Sequence, residues 1–151
     1  MDNSEIEVLK LNVSTDKEAL KYMGDFLVFQ GIAEKTFPEK VMEREMELPT
    51  GLPVQPYGVA IPHTDPEYVI QRQLLVAPLK HPVVFAQMGD RDQHVKVSFV
   101  FMLAIPDSGE HLSLMRDLFN CFEDDQFNQA LANWDGKKSS LKRLIQRHIH
   151  G

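Results

Sequence analysis

Apolar residues recur along this chain with two periods, and the change from one to the other marks its elements. In "STDKEALKYMGDFLVFQGI", Leu20, Met23 and Leu27 fall at helical spacing, behind the cap-type residues Ser14, Thr15 and Asp16 and ahead of Gly31 as a stop. The segment "TFPEKVMEREMEL" offers Thr36 as a helix N-cap with Glu39 three residues on, and Pro38 sits in the first turn, where a missing N–H costs little. That helix should end near Pro49-Thr50-Gly51. Four prolines between positions 52 and 66 leave room for only a short strand, Tyr57 to Ile61, with His63 at its exit. "QLLVAPL" and "VVFAQM" read as two strands separated by a turn around Lys80 to Pro82. "HVKVSFVFMLAIP" alternates and then turns almost wholly apolar, as a strand buried on both faces does. After Pro106 the helical period returns, and Leu112, Met115, Leu118, Phe119 and Phe122 form one stripe on a helix opening near Ser108. "DQFNQALANW" and "SSLKRLIQRHI" predict two shorter helices.

Helices before and after a group of strands predict an α/β fold, a three-layer sandwich in which helices flank a mixed β-sheet on both faces. No repeat, low-complexity tract or Gly/Ser linker interrupts the pattern, so residues 1–151 are expected to form a single domain. Strand order does not follow from periodicity.

Composition narrows the function classes. With 16 basic and 22 acidic residues the formal charge is −6, which opposes the phosphate attraction behind nucleic-acid binding, so no nucleic-acid partner is expected. The lone cysteine, Cys121, forms no intrachain disulfide and falls in an apolar helical run, the setting of a small buried hydrophobe in a reducing compartment. "MDNSEIEVLKLN" lacks the basic flank and apolar centre of a signal peptide, and no run approaches the ~18 to 20 apolar residues of a membrane span. A soluble, cytoplasmic protein is expected.

Six histidines are the natural place to look for chemistry, because imidazole titrates nearest neutral pH. His148 and His150 suit a solvated C-terminal tail, and His81 and His94 suit ordinary turn or strand-entry roles. His63 follows Pro62 and precedes Thr64-Asp65-Pro66 in "YGVAIPHTDP", so it is held on a stiff segment at the rim of the sheet. It is either a strand-terminal polar residue or a ligand-facing one. His111 falls within the apolar stripe of its helix and is either a satisfied core histidine or part of a helix N-terminus that receives an anion. Arg44 closes the helix that leads toward the His63 strand; it is either a surface partner of Glu43, Glu45 or Glu47 or the cation of a phosphate site. Together, His63, His111 and Arg44 would make a small phosphate-holding site. A phosphorylated imidazole needs a neutral, accessible attacking nitrogen, a bond that fixes the other nitrogen, and donors for the phosphoryl oxygens.

At these residues the chain resembles the enzyme IIA components of the bacterial phosphoenolpyruvate-dependent sugar phosphotransferase system, of the fructose/mannitol type. "REMELPTG" followed by "GVAIPHT" is similar to that family's arginine-glutamate, threonine-glycine and alanine-aliphatic-proline-histidine signature, and "EHLSLMRDLFN" to its second histidine segment. The likeness runs from about Thr15 to Ile149, and the proline-bearing "LPVQPYG" is more similar to the galactitol-type branch. The resemblance implies a phosphotransferase relay without independent small-molecule turnover and without metal or organic cofactor. It also implies that His63 takes a phosphoryl group from the phosphocarrier protein HPr and passes it to a IIB component, which serves a membrane IIC component. His111 would be the second histidine, a donor to the phosphoryl oxygens, Arg44 the charge that helps neutralise them, and Thr64 a residue of the rim. The partner face would be an apolar patch including Val54, Tyr57 and residues 108–115.

Two other readings share these residues. A regulatory domain of the same type would bind a transporter or regulator according to the phosphorylation of His63. A metalloprotein would use His63, His94 and His111, which the count permits but no H-x-x-x-H pair within one element supports.

Overall fold

The computed structural model describes residues 1–149. Among them, five strands run in chain order β1 (Ile6–Val8), β2 (Gly51–Leu52), β3 (Gly58–Ala60), β4 (Gln73–Gln87) and β5 (Asp90–Ala104). Five helices accompany them: α1 (Asp16–Phe29), α2 (Phe37–Glu47), α3 (Ser108–Glu123), α4 (Asp125–Ala132) and α5 (Lys138–His148). The long antiparallel pair β4–β5 is the spine of the sheet. β1 adds to β4 in parallel, β3 adds to β5 in parallel, and β2 closes antiparallel on β3 while its Gly51 also meets Gln87 of β4. The sheet is mixed and helices cover both of its faces.

The apolar run of β5 explains that layering. Phe99, Phe101 and Leu103 point into a core shared with Leu114, Leu118 and Phe122 of α3, Phe127 of α4 and Leu141 of α5. Val100, Met102 and Ala104 point the other way, into a core with Leu20, Met23 and Leu27 of α1 and Phe37 and Val41 of α2. Strand side chains alternate between faces, so an unbroken apolar run fits a strand buried on both. Thr15 caps α1 by accepting the Glu18 N–H, and Gly31 follows the helix at φ 75°, a backbone region open to glycine at no steric cost.

Several expectations need correction. "QLLVAPL" and "VVFAQM" belong to one strand, because β5 stays paired with both: Pro78 faces Phe99 and Val83 faces Val97, so β4 bulges between them instead of turning. The bulged residues Lys80, His81 and Pro82 are exposed, which is why they read as a turn. β1 and β2 are not singled out by the pattern. Thr36 precedes α2 in a helical backbone conformation and makes no side-chain cap bond, Pro38 holding the first turn without it. Leu112 is 57% exposed, since the inward face of α3 is Leu114, Leu118, Cys121 and Phe122. His148 lies in the last turn of α5, its Nδ1 bonded to the Leu144 carbonyl at 2.9 Å and its ring 5.0 Å from that of Phe127. It is not a solvated tail, and His150 lies outside the described residues. Cys121 is buried, and burial pushes its thiol up to about 11. Among the described residues no helix is long and apolar enough to cross a membrane.

Gly58 sits at the irregularity where β3 meets β5: it faces Val97, and the next residue, Val59, faces Phe99. A Cβ there would lie 2.3 Å from the carbonyl oxygen of Lys96 and 2.6 Å from Val95. Gly58→Ala should therefore lower stability by about 1–3 kcal/mol through forced backbone movement, seen as a lower urea midpoint. An unchanged midpoint would show that β3 is not seated this closely.

Candidate functional site

β3 ends at Ala60, and the next three residues carry the site. Ile61 N–H donates to Thr50 Oγ1 at 3.2 Å, and the carbonyl of Pro62 accepts Leu103 N–H from the end of β5 at 3.2 Å. Proline cannot join a ladder through its own nitrogen, so the strand stops here while the segment stays anchored on both sides. His63 emerges half-buried, and its Nδ1 lies 2.8 Å from the Ile61 carbonyl oxygen. A carbonyl only accepts, so Nδ1 carries the proton in this bond and Nε2 keeps its lone pair.

His111, one turn into α3, meets His63 edge to face with ring centroids 5.1 Å apart. It is half-buried at the margin of the helix's apolar face, neither a core histidine nor a free surface one. The N-terminus of α3 is already capped: Asp107 Oδ2 accepts Glu110 N–H at 2.9 Å, so a bound anion would compete with a carboxylate there. Arg44, in the last turn of α2, pairs through Nη2 with Asp65 Oδ1 at 2.5 Å, and Glu43, Glu45 and Glu47 are not its partners. Arg44 and His63 line one groove of about 400 Å³ together with Pro49, Met88, Arg91 and Met115.

Burial is the first cause of the titration of both histidines. It holds His63 below its usual value, with the Arg44 cation adding to it, while the Ile61 bond and Asp65 pull the other way. His111 is lowered to about 4 first by burial, then by the charge that His63 carries once protonated and by Arg44, against the pull of Asp65. Both rings are therefore neutral at pH 7. Neutrality gives His63 a nucleophilic nitrogen and makes His111 a hydrogen-bonding group, not a fixed cation.

Of the residues the sequence pointed to, His63, His111 and Arg44 are brought into one electrostatic neighbourhood. Thr64 is buried and so is not on the rim. His94 lies exposed in β5 opposite Ala86 and His81 in the β4 bulge. Among the described residues no group of three or more His, Cys, Asp or Glu could hold a metal ion. Sequence reasoning missed Asp65, Arg91, whose Nη1 donates to the Met46 carbonyl at 3.2 Å, and the buried pair Glu45 and Thr50. Glu45 had a signal: it falls four residues after Val41 and eight after Phe37, on the apolar stripe of α2.

The class follows from a family match that spans nearly the whole chain: a component of a sugar phosphotransferase system. The chain belongs to the family described as phosphoenolpyruvate-dependent sugar phosphotransferase system, EIIA 2, which residues 1–147 match. It is 28% identical over 132 residues to the galactitol-specific EIIA component of Escherichia coli, covering 87% of this chain and 86% of that one. The fold is similar to that of the mannitol enzyme IIA of Escherichia coli in its complex with phosphorylated mannitol enzyme IIB, at a TM-score of 0.74, 21% identity and 97% of each chain. It is also similar to the nitrogen regulatory protein IIA-Ntr of Neisseria meningitidis, at a TM-score of 0.69 and 24% identity over 95% of this chain and 94% of that one.

The lowered His111 has a consequence for stability. Its folded form takes up a proton only near pH 4, whereas an unfolded histidine does so near its ordinary value of 6.5. Between the two the unfolded chain binds more protons, so this contribution is present above pH 6.5 and is lost as pH falls toward 4. His111→Gln should lose less stability than the wild type over that window, read as urea midpoints at several pH values. Parallel pH profiles would show that His111 is not held neutral.

Proposed function

We propose that this protein is a phosphoryl carrier in which His63 takes the phosphoryl group from phospho-HPr and hands it to a IIB component during uptake of a galactitol-type alditol. The observation that carries the reading is the bond from His63 Nδ1 to Ile61, because it leaves Nε2 as the nitrogen with a free lone pair. In the first step that pair attacks phosphorus in line with the donor's P–N bond. The donor bond breaks, and its electron pair returns to the donor imidazole. Nδ1 keeps its proton, and the Ile61 carbonyl steadies the positive charge that develops on the ring. The second transfer runs the same way to a histidine or cysteine of IIB, with the electron pair returning to Nε2.

His111 donates an N–H to the phosphoryl oxygens. Arg44 supplies charge, shared with Asp65 until the dianion arrives. Membership of the EIIA 2 family supports the relay, and the galactitol-specific relative supports the substrate class. No metal or organic cofactor takes part in either transfer. Partners dock on exposed apolar side chains: Leu48 is 61%, Tyr57 42% and Leu112 57% exposed. Half-buried Val54 lines a neighbouring groove with Phe119 of α3. Contacts that must form and release twice per cycle suit a small interface.

Incubation with phosphoenolpyruvate, enzyme I and HPr, followed by mass-spectrometric mapping of acid-labile phosphate, should place one phosphoryl group on His63. His63→Ala should carry none; label that survives in this variant sinks the relay. His111→Ala should accept the group but transfer it slowly, and wild-type kinetics would remove His111 from the site. Phospho-protein presented with a galactitol-type IIB should lose its label to it. A label that stays put would favour the regulatory role.

A further inference from the structure

Behind the His63 segment lies a buried polar pair that neither transfer touches. Glu45 occupies the apolar face of α2 and is 7% exposed. Its Oε2 accepts the N–H of Thr50 and its Oε1 accepts the hydroxyl of Thr50, each at 2.8 Å. Thr50 Oγ1 in turn accepts Ile61 N–H at 3.2 Å, and the Ile61 carbonyl accepts His63 Nδ1–H at 2.8 Å. A threonine hydroxyl has a single proton; once that proton is given to Glu45, only lone pairs face Ile61. Glu45 thus fixes the orientation of the Thr50 hydroxyl, and with it the lone pair that receives Ile61 N–H.

We propose that Glu45 and Thr50 are positioning residues for the transfer: through the Thr50 hydroxyl they hold the Ile61 backbone, and through it the ring of His63, in the geometry that presents Nε2. The inference rests on the reading of His63 as phosphoryl acceptor.

A purely structural role explains the pair poorly. A carboxyl on the inward face of a helix is costly, and burial pushes Glu45 up to about 7 even though both Thr50 bonds pull it down. An apolar residue would fill the same place more stably, but it would leave the Thr50 hydroxyl free to turn its proton toward Ile61 N–H. The action is one of position, because Ile61 N–H and C=O belong to adjacent peptide units. It is not an action of charge at a distance, since Arg44 and Asp65 are the charges that move His63. The other anchor of the segment, Leu103 N–H to the Pro62 carbonyl, is backbone throughout. Thr50 is the side-chain anchor that a substitution can remove.

Single-turnover phosphorylation from purified phospho-HPr tests this, with the saturating rate and the half-saturating donor concentration read separately. Thr50→Val keeps the shape and removes the hydroxyl. It should lower the saturating rate on the order of tenfold, as loss of reacting geometry does, and leave the half-saturating concentration unchanged. Thr50→Ser keeps the hydroxyl and should restore most of the rate. Glu45→Gln offers one acceptor oxygen where two donors converge, so it should share the slow signature; it carries the test where Thr50→Val does not fold. A wild-type rate in Thr50→Val or in Glu45→Gln overturns the proposal, as does a Thr50→Ser no faster than Thr50→Val. A wild-type chain that takes no phosphoryl group on His63 removes the reading beneath it as well, and that outcome is seen before any variant is compared.

Discussion

The bond between His63 Nδ1 and the carbonyl of Ile61 joins the fold to the chemistry. It exists because Pro62 ends the ladder without supplying a donor, so a side chain can turn back on the backbone two residues earlier. The sheet then holds that backbone in place. Thr50 grips Ile61 from the turn after α2, and Leu103 grips Pro62 from the end of β5. An imidazole on a mobile loop would sample both tautomers, and part of the neutral population would present the wrong nitrogen. Here the proton has one partner, and the opposite nitrogen keeps its lone pair.

Charge around the ring is arranged with restraint. The chain carries a formal charge of −6, so a phosphoryl site must make its own favourable field. Arg44 supplies the cation, but Asp65 shares it, which leaves the resting pair close to neutral. His63 and His111 are both kept uncharged, chiefly by burial. In the proposed relay, a neutral nucleophile beside a half-satisfied arginine would accept a phosphoryl group and give it up again. A site with several unpaired cations would hold the phosphoryl group too tightly to pass it on.

Much of this was legible in the sequence, and the failures have physical causes. The helices and the buried run of β5 are long enough for their period to show. β1 and β2 span three and two residues, too few for any period to appear. The continuity of β4 was hidden by Pro78, Pro82 and the exposed residues between them, since only pairing with β5 tells a bulge from a turn. The apolar arc of α3 is broad enough to admit Leu112 or Leu114 as the inward residue, and the packing against β5 chooses Leu114. His63, His111 and Arg44 were legible because their residue types and local contexts are unusual. Asp65 was not, because its partner lies 21 residues away in sequence. Glu45 reads in the sequence only as one possible surface partner of Arg44, because its residue type hides its place on the apolar stripe of α2.

The central claim is that His63 is neutral and protonated on Nδ1 before it meets a donor. Long-range ¹H–¹⁵N correlation of the histidine rings in the unmodified protein at neutral pH reads this directly. The account predicts for His63 a protonated Nδ1 and a bare Nε2, with neither ring nitrogen averaged. A ring carrying its proton on Nε2, or one charged on both nitrogens at pH 7, would contradict it.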